Sequence, residues 1–275
     1  MRVLSHNKNM VLWMPRLKLC IVILIRCIHR QGNKWLREYS RMFNELIAEL
    51  TFSETVDEFT ATLRKLANCL DFDHFAYGQK SGWPLTSPDV YLVNSYPENW
   101  RSKYEESNFF AIDPSVKHGL SSIEPVLWGK ELFSDNMSFW EEARSFGLEY
   151  GWAQATHSNN GNIGMLTFAR TGCDISCKEL LDKHSMLSLV AHSAYFGFNR
   201  IITNEQLSNK PNLTAREIEL LKWTAQGKTA SEIGQILNIS HHTVNFHTDN
   251  CVKKLNVANK TAAAVKAAVL GFFNT

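Results

Sequence analysis

The last quarter of the chain has apolar residues at helical spacing, interrupted at regular intervals by residues that cap helices. Capping boxes begin at Thr214 (T-A-R-E) and at Thr229 (T-A-S-E), and Ser240 is placed to cap a third, longer helix. An alanine-rich fourth helix follows over 259–270. Residues suited to a left-handed helix end follow the first two helices: Gly227 and Asn238. Two short helices, a tight turn and a longer third helix predict an all-α, four-helix helix-turn-helix domain over 212–275.

Upstream, helical and strand patterns follow one another over 34–198. Apolar residues recur at helical spacing over 35–50 and again after Ser53, which is placed to cap a second helix. The predicted strands are one entered near Phe75, one over 90–95, and a hairpin of 152–158 and 163–170. A long closing helix is predicted over 176–204. Its buried side is predicted to comprise Leu180, Leu181, Leu187, Val190, Ala191 and Tyr195. Helices before and after a mostly antiparallel sheet predict an α/β/α sandwich, so the chain as a whole is predicted to be α+β.

The third helix of the C-terminal segment has two chemically different sides. The side predicted to pack inward carries Val244, Cys251, Val252 and Leu255. The opposite side is predicted to carry Asn245, Thr248, Asp249 and Lys253. Short amide, hydroxyl and carboxylate groups match the edges of bases in a major groove. A solvated helix face in an ordinary bundle has the same periodicity, so spacing alone leaves both interpretations open.

Four groups of letters identify this segment more closely. They are L-T-x-R-E at 213–217, A-x-G-K-T-x-x-E-I at 225–233, T-V-x-x-H at 243–247 and K-K-L-N-V at 253–257. In this order they resemble the C-terminal DNA-binding domain of the LuxR family of transcriptional regulators. The resemblance implies DNA contacts from Lys228, Thr229, Thr243, Asn245, His247, Thr248, Asp249 and Lys253. Gly234 and Cys251 depart from the residues usual in the family, and neither breaks the motif.

Length and composition agree with two globular domains. The chain has 275 residues, of which 44% are hydrophobic and 20% charged, and its formal net charge is +2. That net charge is too small to indicate a nucleic-acid partner by itself. Seven of the basic residues and four of the acidic ones lie in 212–275, so a surplus of three positive charges is local to the helix-turn-helix segment.

Two further segments differ in character from the domains. Residues 1–33 contain an apolar run of about twelve residues, short of the roughly twenty that a membrane span needs, and no small-residue cleavage site follows it. We expect an atypical N-terminal extension, or a gene start placed too far upstream, and no membrane association. Residues 199–211 lose apolar periodicity and end in Pro211, so they are expected to form the linker between domains at 34–198 and 212–275.

Six cysteines are scattered along the chain, and among them only Cys173 and Cys177 are close in sequence. A single C-x-x-x-C without matching histidines or cysteines is a weak indication of a metal site. We expect reduced thiols in a cytoplasmic protein without a metal or other cofactor.

The segment 91–140 is dense in aromatic residues that alternate with single polar groups. Such a composition is typical of a closed apolar pocket with a few orienting hydrogen bonds, and also of an ordinary aromatic core. The letters Y-P-x-x-W-x-x-x-Y at 96–104, D-P at 113–114, Trp128 and G-L-x-Y-G at 147–151 resemble the autoinducer-binding domain of the LuxR family. With both domains matched in order, the resemblance covers about residues 35–273.

The resemblance implies that the domain over 34–198 binds an N-acyl-homoserine lactone. Asp113 would accept the amide N–H, Trp100 would donate to the lactone carbonyl and Tyr96 to the acyl carbonyl. The remaining residues expected to line the site are Tyr104, Ser115, Trp128 and Thr167. Asp113 also precedes a proline at a helix start, so an N-cap role is expected beside or instead of the ligand contact. His118 and His157 are expected to be structural.

The resemblance further implies a homodimer on a pseudo-palindromic operator, with RNA polymerase as a further partner. The alanine-rich last helix and the long closing helix are both candidate dimer contacts. An enzyme is not expected, because Gly227-Lys228-Thr229 lacks the first glycine of a P-loop and no other catalytic motif occurs. A phosphorylation-controlled receiver is not expected, since no acidic cluster stands at a strand end. A regulator that answers another small molecule, or none, stays open.

Overall fold

A computed structural model describes residues 34–206 and 211–273. The predictions for 1–33 therefore lie outside the described residues. The N-terminal domain contains, in order, α1 (Lys34–Thr51), α2 (Val56–Cys69), β1 (His74–Lys80), β2 (Val90–Asn94), α3 (Glu98–Glu106), α4 (Pro114–Ser121), β3 (Val126–Leu127), α5 (Met137–Ser145), β4 (Tyr150–His157), β5 (Ile163–Arg170) and α6 (Cys177–Gln206). Short 3₁₀ turns at Phe109–Ala111 and Ser134–Asn136 precede α4 and α5. Helices and a five-stranded antiparallel sheet make the predicted sandwich, so the fold class is confirmed.

The start of α2 differs from the prediction by two residues. Thr55 is the N-cap, and its hydroxyl accepts a hydrogen bond from the Glu58 amide. Ser53, which was expected to cap this helix, instead donates its buried hydroxyl to the Glu49 carbonyl at the end of α1. Both residues suit a cap, and the turn between the helices decides which one is used.

The sheet has the strand order β2-β1-β5-β4-β3. Because side chains alternate along a strand, each strand supplies both faces of the sheet. On β1, Phe75, Tyr77 and Gln79 are buried on one face, whereas Ala76 and Gly78 point to the other. The first face packs on helices and the second forms the floor of a cavity.

Helices α2 and α6 cover the first face of the sheet. Three aromatic side chains form its centre, with ring centroids 5.1 to 5.3 Å apart: Phe59, Tyr77 and Phe198. Leu187, Val190, Ala191 and Tyr195 are buried on α6 as predicted. Leu181 is 52% exposed, which corrects its assignment to the buried side.

Helix α6 ends two residues beyond the predicted range of 176–204. It continues through Gln206, and Ile201 and Ile202 are still buried. The predicted linker from residue 199 therefore begins inside a helix. Asn199 itself joins a polar network, in which its side-chain oxygen accepts from Gln79 and Asn162. Residues 199–204 were predicted both as the end of the closing helix and as the start of the linker, and they are helical.

A cluster of charges ties the end of β5 to the beginning of α6. The guanidinium of Arg170 donates two 2.7 Å hydrogen bonds to the Glu179 carboxylate and further bonds to the carbonyls of Cys173 and Asp174. Lys183 adds a 2.8 Å bond to the same carboxylate. Arg170 stays only 9% exposed because all of these acceptors converge on it. The Arg170 donors, followed by Lys183, lower the pKa of Glu179 to about 2.

The C-terminal domain consists of α7 (Ala215–Ala225), α8 (Ala230–Leu237), α9 (His241–Leu255) and α10 (Lys260–Val269). Its helix ends follow the predicted signals. Thr214 and Thr229 begin complete capping boxes, Ser240 caps α9 and Asn259 caps α10. Gly227 and Asn238 have positive φ angles of 82° and 52°. The predictions for Thr214, Thr229, Ser240, Gly227 and Asn238 are confirmed, because a cap depends only on residues within one turn of it.

An ion pair and a buried cysteine hold α7 and α9 of this domain together. The buried Glu217 of the first capping box accepts a 2.8 Å hydrogen bond from Lys254 on α9. Burial alone would raise the pKa of Glu217, but the hydrogen bonds from Lys254 and Thr214 together lower it. Cys251 is fully buried between the helices, and this burial raises the pKa of its thiol to about 12. Within the described ranges, no helix is long and apolar enough to cross a membrane.

Candidate ligand pocket and candidate DNA-reading helix

A cavity of about 150 Å³ lies over the second face of the sheet, beneath helices α3, α4 and α5. Space of that size holds on the order of ten water molecules, which corresponds to a small organic ligand. Its wall contains all seven residues that the sequence predicted for the ligand site: Tyr96, Trp100, Tyr104, Asp113, Ser115, Trp128 and Thr167. The structure therefore brings together side chains that are up to 71 positions apart in the chain.

Asp113 is the acidic centre of the cavity wall and also caps a helix. It precedes Pro114, and its carboxylate accepts a 2.8 Å hydrogen bond from the Ser115 amide at the start of α4. The same oxygen accepts a 2.6 Å bond from the Ser115 hydroxyl, and the other oxygen accepts a 3.0 Å bond from the Tyr104 hydroxyl. Asp113 is 8% exposed. Three donors thus fix both carboxylate oxygens in place.

Burial dominates the electrostatics of this group. Desolvation raises the pKa of Asp113 above its ordinary value, although the hydrogen bonds from Ser115 and Tyr104 act in the opposite direction. The pKa values of Tyr96 and Tyr104 are raised by burial and then by the nearby Asp113 charge. Both phenols are therefore neutral donors. A carboxylate in such surroundings gains from every further donor that a ligand brings.

Tyr96 and Trp100 are held by aromatic packing and not by hydrogen bonds of their polar tips. Trp100 is 2% exposed and lies against Phe109, Phe139 and Phe146, with ring centroids 5.5 to 5.8 Å apart. Within the described ranges, neither the Tyr96 hydroxyl nor the Trp100 indole N–H bonds to a protein acceptor. Both donors are therefore available to acceptors inside the cavity.

Trp128 forms another part of the cavity wall, and Gly151 leaves room for its ring. A Cβ atom at Gly151 would overlap the Trp128 indole ring, so this glycine lets the ring lie directly on β4. The Trp128 amide donates to the Gly151 carbonyl at 2.8 Å, and its ring meets Phe133 edge to face. The indole Nε1 of Trp128 is buried without a protein partner among the described residues. The second glycine of the G-L-x-Y-G motif is therefore required because the Trp128 ring lies directly against the backbone there.

The floor of the cavity follows the strand register. Residues directly opposite one another form one row of Asn94, Ala76, Thr167 and Ala153, and a second row of Leu92, Gly78, Met165 and Ala155. Thr167 is 5% exposed and is the hydroxyl of the first row. Small side chains in both rows make the space. Gly119 on α4 adds to it, since a Cβ there would stand 2.7 Å from the Met165 sulfur.

Sequence reasoning missed most of these apolar floor residues. Alternation along 163–170 gives one set of side chains per face, but the face that meets the cavity depends on which helices cover it. His118 and His157, which were expected to be structural, bond to the carbonyls of Glu124 and Gly119.

Helix α9 presents the residues predicted for DNA. Asn245, Asp249 and Lys253 are exposed, whereas Val244, Cys251 and Leu255 are buried. Thr248 differs from the expectation, because it is half-buried and its hydroxyl donates to the Val244 carbonyl at 2.9 Å. Counting along the helix places it on the flank and not opposite the core.

The other predicted DNA contacts surround the helix starts. Thr229 caps α8, and Lys228 lies beside it within 3.5 Å of Glu232. The hydroxyl of Thr243 is 2.9 Å from that of Ser240 at the start of α9. His247 is half-buried next to Phe246. Phe246 was not singled out by the sequence reasoning, and it is 62% exposed.

The described parts of the chain hold no group of three or more histidine, cysteine or acidic side chains that would suit a metal ion. Among the cysteines that the structure describes, Cys69, Cys173, Cys177 and Cys251 form no disulfide.

Both domains match known families. Residues 55–195 match the autoinducer binding domain, and residues 211–267 match the family described as bacterial regulatory proteins, luxR family. The transcriptional activator AnoR of Acinetobacter nosocomialis is 36% identical over 230 residues, which cover 82% of this chain and 97% of that protein.

Solved structures agree with the sequence matches. A crystal structure of Escherichia coli SdiA superposes with a TM-score of 0.73 at 33% identity, covering 86% of this chain and 99% of SdiA. SdiA in complex with octanoyl-rac-glycerol gives 0.72 at 32% identity, covering 88% and 98%. The N-acylhomoserine lactone dependent factor CepR2 of Burkholderia cenocepacia gives 0.54 at 25% identity, covering 59% and 96%.

An autoinducer-binding domain with a cavity, followed by a luxR-type helix-turn-helix domain, defines a ligand-responsive DNA-binding regulator. The chain belongs to the LuxR family of autoinducer-binding transcriptional regulators.

Proposed function

We propose that this protein binds an N-acyl-homoserine lactone in the cavity and regulates transcription by binding a pseudo-palindromic operator as a homodimer. The observation that carries the proposal is the buried Asp113 carboxylate, fixed by three donors at the wall of an apolar cavity. Among the described residues, no lysine or arginine forms an ion pair with it. A donor from the occupant would therefore stabilise its charge beyond what the three protein donors supply.

The chemistry of the wall matches the polar groups of an acyl-homoserine lactone. Asp113 accepts the amide N–H, and the Tyr96 hydroxyl and Trp100 indole donate to the acyl and lactone carbonyls. Trp128 packs on the lactone ring, with Tyr104 and Ser115 holding Asp113 in place. The hydroxyl of Thr167 faces the acyl chain near its amide.

The apolar floor suits the acyl chain. Gly78, Met165, Leu92 and Gly119 line the cavity with groups of low polarity. Each methylene that leaves water contributes about 0.8 kcal/mol, so a chain of several carbons supplies most of the binding free energy. The polar wall then decides the orientation of the ligand.

The proposal for DNA rests on the exposed side of α9. Asn245 and Asp249 offer groups for base edges, and Lys253 offers a charge for the phosphate backbone. Lys228 and the residues at the helix starts lie where phosphates are held in helix-turn-helix complexes. A dimer on a pseudo-palindromic operator needs two such helices about one DNA turn apart, with α6 and α10 as the candidate contacts and RNA polymerase as the partner of the bound complex.

A second candidate ligand is a monoacylglycerol. The favouring observation is that SdiA, which superposes with a TM-score of 0.72, has been solved with octanoyl-rac-glycerol. Such a ligand shares the acyl chain and a carbonyl with the lactone. It lacks the amide, so Asp113 would accept a hydroxyl instead.

Native mass spectrometry of the full-length protein distinguishes the two candidates. The protein is expressed in cells supplied with a series of acyl-homoserine lactones and with octanoyl-glycerol. We expect one lactone per chain in the purified protein, in preference to the glycerol ester. Retention of the ester alone, or of no ligand at all, would contradict the lactone assignment.

A further inference from the structure

Phe246 is an aromatic side chain on the surface of the helix that carries the DNA-reading residues. Its ring is 62% exposed, although phenylalanine is among the residue types most often found inside proteins. The one ring contact recorded for it in the described chain is an edge-to-face contact with its neighbour His247, at 5.6 Å between centroids. The ring therefore contributes little to the core of the domain.

The buried residues of α9 fix the direction in which Phe246 points. Val244, Cys251 and Leu255 are each at most 1% exposed and define the inward side. Successive residues on an α-helix are turned by about 100°, so Phe246 lies about 200° from Val244. It stands on the line directly opposite the core, and Lys253 lies on the same line two turns later.

The surroundings of Phe246 on this side are polar. Asn245 precedes it, Asp249 lies about one turn further along, and both are exposed. An isolated apolar ring among polar groups does not form a patch large enough for a protein partner. Its position in the N-terminal half of α9 is instead the part of a recognition helix that meets base edges.

We propose that Phe246 reads a thymine in each half of the operator by packing its ring against the C5 methyl group of that base. The inference rests on the proposed binding of operator DNA through α9. The thymine methyl is the apolar feature of the major groove, and cytosine lacks it. Phe246 is therefore a specificity-determining residue, whereas Lys253 supplies affinity without sequence preference.

The half-buried His247 supports the orientation of the ring. Its imidazole meets the phenyl group at an interplanar angle of 66° and limits the directions in which the ring can swing. A side chain that is held before binding loses less conformational entropy in the complex. An apolar contact from such a ring discriminates a methyl group from a hydrogen.

The test replaces thymine by deoxyuridine, which pairs identically and lacks only the methyl group. Full-length protein purified from cells supplied with N-octanoyl-homoserine lactone is first used to select an operator from random duplexes. Each thymine is then replaced singly, and affinity is measured by fluorescence anisotropy. At one position in each half-site we expect about fourfold weaker binding, the effect of losing one buried methyl-sized group.

Variants at position 246 test whether the loss of affinity for deoxyuridine depends on the Phe246 ring. In Phe246→Ala the affinity ratio between thymine and deoxyuridine at this position should fall to one, and in Phe246→Leu part of it should remain. In the comparison variant Asn245→Ala, overall affinity should fall while the ratio stays at about four. Circular dichroism of Phe246→Ala should match the wild type, because the exposed ring does not support the core.

Two results would overturn the inference while leaving the proposed function intact. One is a wild-type protein that binds its selected operator equally well with deoxyuridine at every thymine position. The other is a thymine preference that persists in Phe246→Ala. Failure of the wild type to select any operator would instead contradict the proposed function, and the inference with it.

Discussion

Asp113 combines two tasks in one side chain, the capping of α4 and the supply of a negative charge to the cavity. Burial raises its pKa, and the bonds from Ser115 and Tyr104 hold the charged form against that effect. The family resemblance carried by Y-P-x-x-W-x-x-x-Y and D-P predicted the polar residues that line the cavity. It was not enough to show that the Ser115 hydroxyl already donates to Asp113, because that contact depends on the turn into α4.

The Tyr104 hydroxyl should set the pH range in which ligand binds. Tyr104→Phe keeps the ring and removes one donor to Asp113, so the pKa of Asp113 should rise further above its ordinary value. A raised carboxyl pKa means that the charged acceptor is lost earlier as pH falls. We expect lactone affinity to weaken about threefold to tenfold near neutral pH, the effect of one lost hydrogen bond.

Isothermal titration calorimetry across pH checks this expectation. The pH at which affinity begins to fall should be higher in Tyr104→Phe than in the wild type. Identical pH profiles for the two proteins would show that the Tyr104 hydroxyl does not act through Asp113.

Helix ends were the most predictable elements, because each cap is decided within one turn of the chain. The boxes at Thr214 and Thr229 and the cap at Ser240 all occur as predicted. The cap of α2 was missed, since Thr55 and Ser53 are equally suitable, and the linker expected from residue 199 overlaps α6, in which Ile201 is still buried. Contacts between elements, such as Arg170 with Glu179, leave no local pattern.

The charged cluster of Arg170, Glu179 and Lys183, which joins β5 to α6, should contribute measurably to the free energy of unfolding. Glu179→Gln removes the charge that accepts from Arg170 and Lys183 and leaves Arg170 with a weaker partner. We expect a loss of about 2 kcal/mol in the free energy of unfolding at neutral pH, in the range for hydrogen bonds to charged groups. Glu142→Gln breaks a more exposed pair with Lys103 and should cost less than about 1 kcal/mol.

The pH dependence of the stability lost in Glu179→Gln follows from the direction in which folding shifts the pKa of Glu179. The Glu179 pKa is lowered from 4.5 to about 2 on folding, so its contribution is complete above the unfolded value and disappears as pH falls toward 2. The wild type and Glu179→Gln should therefore converge in stability over that window in urea unfolding. A difference that stays constant from neutral to acidic pH would count against an ionic origin.

The sequence predicted the two domains and their fold classes, but not how the strands pair within the sheet. Both domains follow from patterns and motif letters, but the strand order β2-β1-β5-β4-β3 does not, because pairing between distant strands is decided by the shared core. For the same reason the cavity floor of Gly78, Met165 and Gly119 was found only in the structure. The surplus of positive charge in 212–275 is a property of the whole C-terminal domain and was evident from the sequence.

Lys253 should govern the salt dependence of operator binding. Each phosphate contact that is removed makes the negative slope of log K against log salt shallower by about 0.9. Lys253→Ala, which removes one contact from each subunit of a dimer, should therefore make the slope shallower by about 2. Lys65→Ala removes another exposed charge, on α2 of the sensor domain, and should leave the slope unchanged. Anisotropy titrations over a range of salt concentrations give both values. Equal slopes for Lys253→Ala and the wild type would remove Lys253 from the phosphate contacts.

The central claim is that a lactone binds in the cavity through the Asp113 carboxylate. The most direct measurement is calorimetric titration of N-octanoyl-homoserine lactone into the wild type, Asp113→Asn and the exposed comparison variant Asp135→Asn. Asparagine keeps the size and capping ability of Asp113 and removes the charge. We predict that Asp113→Asn binds at least about tenfold more weakly and that Asp135→Asn matches the wild type. Equal dissociation constants for all three proteins would contradict the account.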